Sequence, residues 1–165
     1  MEKQIEMDIP DDGDDPPERI VTVTADSEID GVDIDWLEIQ STTVLLFLGK
    51  TQSKVTVRVV DDITMSQLHE KHSNDRTTTD VLTFDNGSNE LAIDADIAIC
   101  SEVASRATCD QSHTLNEELL LYIVHGILHC VGFDDHDEES HLEMHEEEDR
   151  ILTAIGVGPV WSRGA

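Results

Sequence analysis

Apolar and polar residues alternate with a period of two at both ends of the first third of the chain. Arg19–Thr24 interleaves Ile20, Val21 and Val23 with threonines, and Lys54–Val60 sets Val55, Val57 and Val59 against Thr56 and Arg58. Successive side chains of a strand point to opposite faces, so both segments predict strands with one buried face. Val81–Phe84 and Leu91–Cys100 are apolar runs that also predict strands, and Asn86-Gly87 between them is a turn signal.

Helical spacing governs the rest. Ser27–Leu48 carries Ile29, Val32, Trp36, Leu37 and Ile39, then the run Val44–Leu48; Gly31 interrupts it and Gly49 closes it. Asp61–Thr64 predicts the cap of a short helix to about His72, followed by a polar loop, Ser73–Thr78. Ser101 predicts a cap for a helix over Glu102–Thr108. Thr114 and Glu117 form a capping-box pair before residues 115–131, where Leu119, Leu120, Leu121, Ile123, Val124, Ile127, Leu128 and Val131 leave almost no polar face. A helix apolar nearly all round belongs at the centre of the fold, and Gly132 ends it. A last helix, about 137–155, shows an acidic outer face with Leu142, Ile151, Leu152 and Ile155 toward the core. This order predicts an α/β (α+β) fold: a mixed four-stranded sheet covered by about five helices. The expected organisation is an acidic leader (1–18), one domain (19–155) and a C-terminal tail (156–165).

Charge narrows the function classes. Across 165 residues, 37 acids face 10 Lys and Arg, for a net charge of −27. That balance excludes a generic basic nucleic-acid binder. Residues 1–18 hold eight acids and one Lys, and residues 137–150 hold eight acids and one Arg. No stretch reaches the ~18 apolar residues of a membrane helix, and the acidic N-terminus is unlike a signal peptide. Cys100, Cys109 and Cys130 form no CxxC pair, so reduced thiols in a cytoplasmic protein are expected.

The candidate chemistry lies in His125-Gly-Ile-Leu-His129-Cys-Val-Gly132-Phe-Asp-Asp-His136. Histidines at i and i+4 share one helix face, a spacing that a single metal ion bridges. Gly132 lets the chain turn so that His136 returns to the same point. Three imidazoles would hold Zn²⁺ and leave a fourth position for water, the arrangement of a catalytic site. Gly126, inside the helix, costs about 1 kcal/mol relative to Ala and implies a close approach or tight packing. It also stands where a zinc protease of the HExxH type has its general base, which weighs against a peptidase. His141 and His145 form a second i, i+4 pair, expected on a solvated face, and His69, His72 and His113 are expected at the surface. Cys130 is expected in the core.

At these residues the chain resembles the YbeY family of endoribonucleases, whose pattern HGxLHxxGYDH is preceded by TDVLSF-like and GDIxIC-like strands. Those strands read here as Thr79–Phe84 and Ala95–Cys100, in the same order. The resemblance implies an α/β hydrolase holding one zinc ion per chain through His125, His129 and His136. It also implies action on single-stranded RNA in small-subunit rRNA 3′-end maturation and ribosome quality control, with the ribosomal small subunit or assembly factors as partners. Three departures stand out. The family's ligands fall at 0, 4 and 10, whereas this chain has histidines at 0, 4 and 11. A loop absorbs one residue easily and the family ends on Asp-His, so His136 is the expected third ligand; Asp135, at the strict count, is the alternative. The family's arginine before the TDVLSF-like strand falls on Ser73, which leaves Arg76 as the candidate catalytic residue. Ala95 replaces the glycine of the GDIxIC-like strand. With six aromatic residues, stacking platforms for RNA are few. Arg58, Lys54, Lys71, Arg76 and Arg106 are the cations expected to meet RNA. A non-catalytic metal-binding assembly protein is the alternative function.

Overall fold

The computed structural model describes residues 20–109 and 111–162; the acidic leader lies outside the described residues. The elements are β1 (Val21–Ala25), α1 (Ile34–Phe47), β2 (Lys54–Val60), α2 (Asp62–Ser73), β3 (Val81–Asp85), β4 (Asp94–Cys100), α3 (Ser101–Thr108), α4 (Leu115–Val131) and α5 (Glu138–Ala154). The sheet runs in the order β1-β2-β4-β3. β1 runs parallel to β2 and β2 to β4, whereas β3 pairs antiparallel with β4. The expected mixed four-stranded α/β fold with five helices is therefore present.

Register determines what the central helix meets. Val23 pairs with Val57, Val57 with Ile97, and Ile97 with Thr83. These four residues form one row across a single face of the sheet. α4 packs on that face. Its side chains Leu119, Leu120, Ile123, Val124, Ile127 and Leu128 have no solvent exposure. Burial of each contributes about 1.5–3 kcal/mol, which together far outweighs the ~1 kcal/mol cost of Gly126. The predicted capping box is made in full, since Thr114 accepts from Glu117 N and Glu117 accepts from Thr114 N. Gly132 caps the other end at φ 110°, where any other residue would be strained.

Several sequence expectations are corrected. α1 starts at Ile34, because Asp33 caps it by accepting from Trp36 N. Ile29 and Val32 still reach the core, but from the preceding loop. Ile39 and Leu142 face solvent, and Met144 fills the core position on α5. β4 begins at Asp94, because the Asn89 side chain accepts from Leu91 N and Ala92 N and folds those residues into a turn. Ser101 does not cap α3; its hydroxyl donates to the Val60 carbonyl. Ser73 belongs to α2, and Asn74 ends that helix in the left-handed region. His113, expected at the surface, is buried against Glu118.

The segment after α5 packs on the body. Val160 is fully buried, and the backbone N–H groups of Val160, Trp161 and Ser162 all donate to Asp149. No helix of the described residues is long and apolar enough to cross a membrane.

Candidate metal centre

The C-terminal half of α4 presents His125 and His129 on one face, with their rings edge to face at 4.7 Å. Each ring has its Nδ1 committed. His125 Nδ1 donates to Glu148 Oε1 at 2.6 Å, and His129 Nδ1 donates to the Phe133 carbonyl at 3.2 Å. Carboxylate and carbonyl oxygens only accept, so both rings carry their proton on Nδ1. The two Nε2 atoms then turn bare lone pairs toward one another at 3.1 Å. Two acceptors at that distance need a shared proton or a metal ion between them. The spacing is close to the ~3.3 Å edge of a tetrahedron built on Zn–N bonds of ~2.0–2.1 Å. The donor set therefore fits a divalent ion.

Asp135 completes the cluster. Its Oδ2 lies 3.3 Å from His125 Nε2 and 3.8 Å from His129 Nε2. The three ligand atoms fall within 4.8 Å of one another. His136 stands at the outer edge: its side chain is 89% exposed, its Nε2 sits 3.7 Å from Asp134, and it groups with Asp134 and Asp135 rather than with the two helix histidines. The structure thus brings His125 and His129 together with Asp135 and leaves His136 at the surface. In the loop after Gly132, Asp134 Oδ1 accepts from His136 N and fixes a tight turn that aims Asp135 inward.

The cluster lines one wall of a cavity of about 430 Å³, whose opposite wall is the loop Thr79–Asp80 and strand β3. Arg76 is not on that wall. Its side chain is 86% exposed and pairs with Glu70. Cys130, expected in the core, lines the cavity edge while half-buried. Burial and the Asp85 charge push its thiol up to about 11, so it stays protonated near neutrality and is a poor ligand. Burial pulls the His125 imidazole down, but the Glu148 hydrogen bond and charge, with Asp80 and Asp135, reverse this and leave it raised.

Sequence reasoning missed Glu148 and misplaced His145. Glu148 has no solvent exposure and accepts from His145 Nδ1 at 2.7 Å as well as from His125. His145 is only 13% exposed and lies against Trp161. The signal was present: Met144, Glu148, Ile151 and Leu152 form one helical stripe, and an acid within such a stripe is buried only when paired.

The cations expected to meet RNA are largely engaged. Arg58 pairs with Asp26, Arg76 with Glu70, Arg106 with Asp62 and Arg150 with Glu147. Those are all four arginines among the described residues. Arg106, through its hydrogen bond, holds the Asp62 carboxyl down at about 2, a sign of how firmly that pair is made.

The layered α/β body thus carries, on its buried helix, a histidine pair and a neighbouring carboxylate that could hold a divalent ion. Comparison gives the family: residues 21–156 match the family model for endoribonuclease YbeY, and the chain belongs to that family of RNA-cutting hydrolases. The endoribonuclease YbeY of Beutenbergia cavernae is 32% identical over 116 residues, covering 65% of this chain and 77% of that protein. That of Protochlamydia amoebophila is 35% identical over 109 residues, covering 64% and 73%. The solution structure of TM1509 from Thermotoga maritima shares the fold at a TM-score of 0.53, with 20% identity and coverage of 81% of this chain and 90% of that one.

Proposed function

We propose that the protein is a zinc-dependent endoribonuclease specific for single-stranded RNA, acting in the cytoplasm on the 3′ end of small-subunit rRNA and in ribosome quality control. His125, His129 and Asp135 would hold the ion. The observation that carries this reading is the pair of Nε2 atoms facing each other at 3.1 Å beside a carboxylate, with both Nδ1 atoms taken up by acceptors. A zinc ion bound there supplies Lewis-acid polarisation of a water or a phosphoryl oxygen.

The protein's own groups do the rest. Glu148 and the Phe133 carbonyl hold the Nδ1 protons and keep both rings in the ligating tautomer. A carboxylate in place of a third imidazole lowers the charge of the loaded site by one. Asp80 and Asp85 on the cavity wall repel phosphate, an effect screened beyond ~8 Å at physiological salt. With its four described arginines paired internally, the protein binds free RNA weakly, and the ribosomal small subunit or an assembly factor supplies the missing affinity.

The paired arginines also favour a second reading, a non-catalytic assembly protein whose ion ties α4 to the loop after it. Cleavage of an end-labelled rRNA 3′-end fragment separates the two. The metal-stripped protein is expected to leave it intact, and zinc reloading is expected to restore cutting of the single strand but not of its duplex. A protein holding one zinc that cuts neither free RNA nor precursor particles would support the assembly role instead.

A further inference from the structure

Glu148 sits in the core stripe of α5 with no solvent exposure, yet both its oxygens are used. Oε1 accepts from His125 Nδ1 at 2.6 Å and Oε2 from His145 Nδ1 at 2.7 Å. A buried carboxylate without donors would cost several kcal/mol, so the two imidazoles and the acid hold one another in place. His145 is itself held from outside. Its ring stacks on Trp161 at 4.6 Å and 5° between planes. Trp161 is pinned because its backbone N–H, with those of Val160 and Ser162, donates to Asp149. An unbroken chain of contacts therefore runs from the C-terminal segment through His145 and Glu148 to the back of His125.

We propose that Glu148 is a positioning residue that keeps His125 in the tautomer able to take a metal ion, and that His145 and Trp161 seat Glu148 for this task. The inference rests on the metal-site reading and adds a dependence on the segment after α5. Without an acceptor behind it, the His125 ring is free to rotate or move its proton to Nε2, which removes the lone pair from the cavity.

Zinc affinity, measured by chelator competition on wild type, Glu148→Gln and Glu148→Leu, tests it. Glu148→Leu is expected to weaken zinc binding about 10–100-fold, the range for lost partners of ligating histidines. Glu148→Gln keeps an acceptor oxygen for His125 and is expected to lose less. Circular dichroism reports whether each variant is folded. A Glu148 that only stabilises the fold would lower the melting temperature and leave the zinc affinity of folded protein unchanged, and that result overturns the proposal. Wild type binding no zinc overturns the metal-site reading as well, whereas wild type binding zinc no tighter than Glu148→Leu overturns this inference alone. Nitrogen-15 shifts of the His125 ring in zinc-free wild type give an answer without any variant. A protonated Nδ1 is expected, and a bare Nδ1 overturns the proposal.

Discussion

Asp135→Ala is expected to lose both bound zinc and RNA cleavage, while His136→Ala keeps both. The Asp135 carboxylate is the third group of the cluster, with its Oδ2 3.3 Å and 3.8 Å from the two imidazole nitrogens. Partners behind ligating histidines are worth about 10–100-fold in affinity, so removal of a direct ligand should cost at least the upper end of that range. His136 has less to lose, since its ring is 89% exposed and lies beside Asp134 and Asp135 rather than the histidine pair. Zinc stoichiometry after gel filtration and the RNA cleavage assay read both effects. The reverse outcome would mean that the loop after Gly132 rearranges on binding the ion.

Gly126→Ala is expected to destabilise the fold although it replaces a helical glycine. Alanine gains about 1 kcal/mol in a helix interior. Against that, an added Cβ would lie 2.6 Å from Thr83 Oγ1 and 3.1 Å from Ile97 Cδ1. Both atoms belong to the sheet row directly beneath α4; Ile97 Cδ1 ends a flexible side chain, but the short, β-branched Thr83 can retreat only by a rotamer change or a shift of β3. Overpacking of this kind costs about 1–3 kcal/mol, so a net loss of up to about 2 kcal/mol is expected in denaturant titration. Gly126→Val adds bulk without the helix gain and should lose more. The same clash pushes β3 away from α4 and widens the cavity that His125 and His129 share with β3. A Gly126→Ala protein more stable than wild type would show that the helix and strand separate freely.

Much of this was legible in the sequence where one local rule decides the outcome. The α4 helix announces itself through its capping box, its unbroken apolar surface and Gly132 at its end. The close approach at Gly126 follows from a costly residue standing in an otherwise favourable helix. The strands follow from alternation, and their mixed pairing from the order of elements. What stayed hidden depends on contacts between distant segments. Asp33 rather than Ser27 starts α1 because its carboxylate reaches Trp36 N. Asp135 rather than His136 meets the histidine pair because Asp134 ties the turn, a geometry that residue counting suggested but motif matching overrode. His145 reads as a surface histidine until Trp161, 16 residues further on, is seen to cover it. The arginines look available in a list, yet a chain with so many acids supplies each of the four described ones a nearby carboxylate.

The pairing of the described arginines and the acidic cavity wall both work against phosphate binding in a chain of net charge −27 whose family cuts RNA. Phosphate contacts usually come from Lys and Arg, and this surface offers few that are uncommitted. A metal ion bound at the cluster would be the main positive element of the cavity, which makes its third ligand the central point. X-ray absorption at the zinc edge of the loaded wild-type protein reads that ligand directly. Two imidazoles with oxygen completing the shell is the predicted result; three imidazoles would contradict the assignment of Asp135.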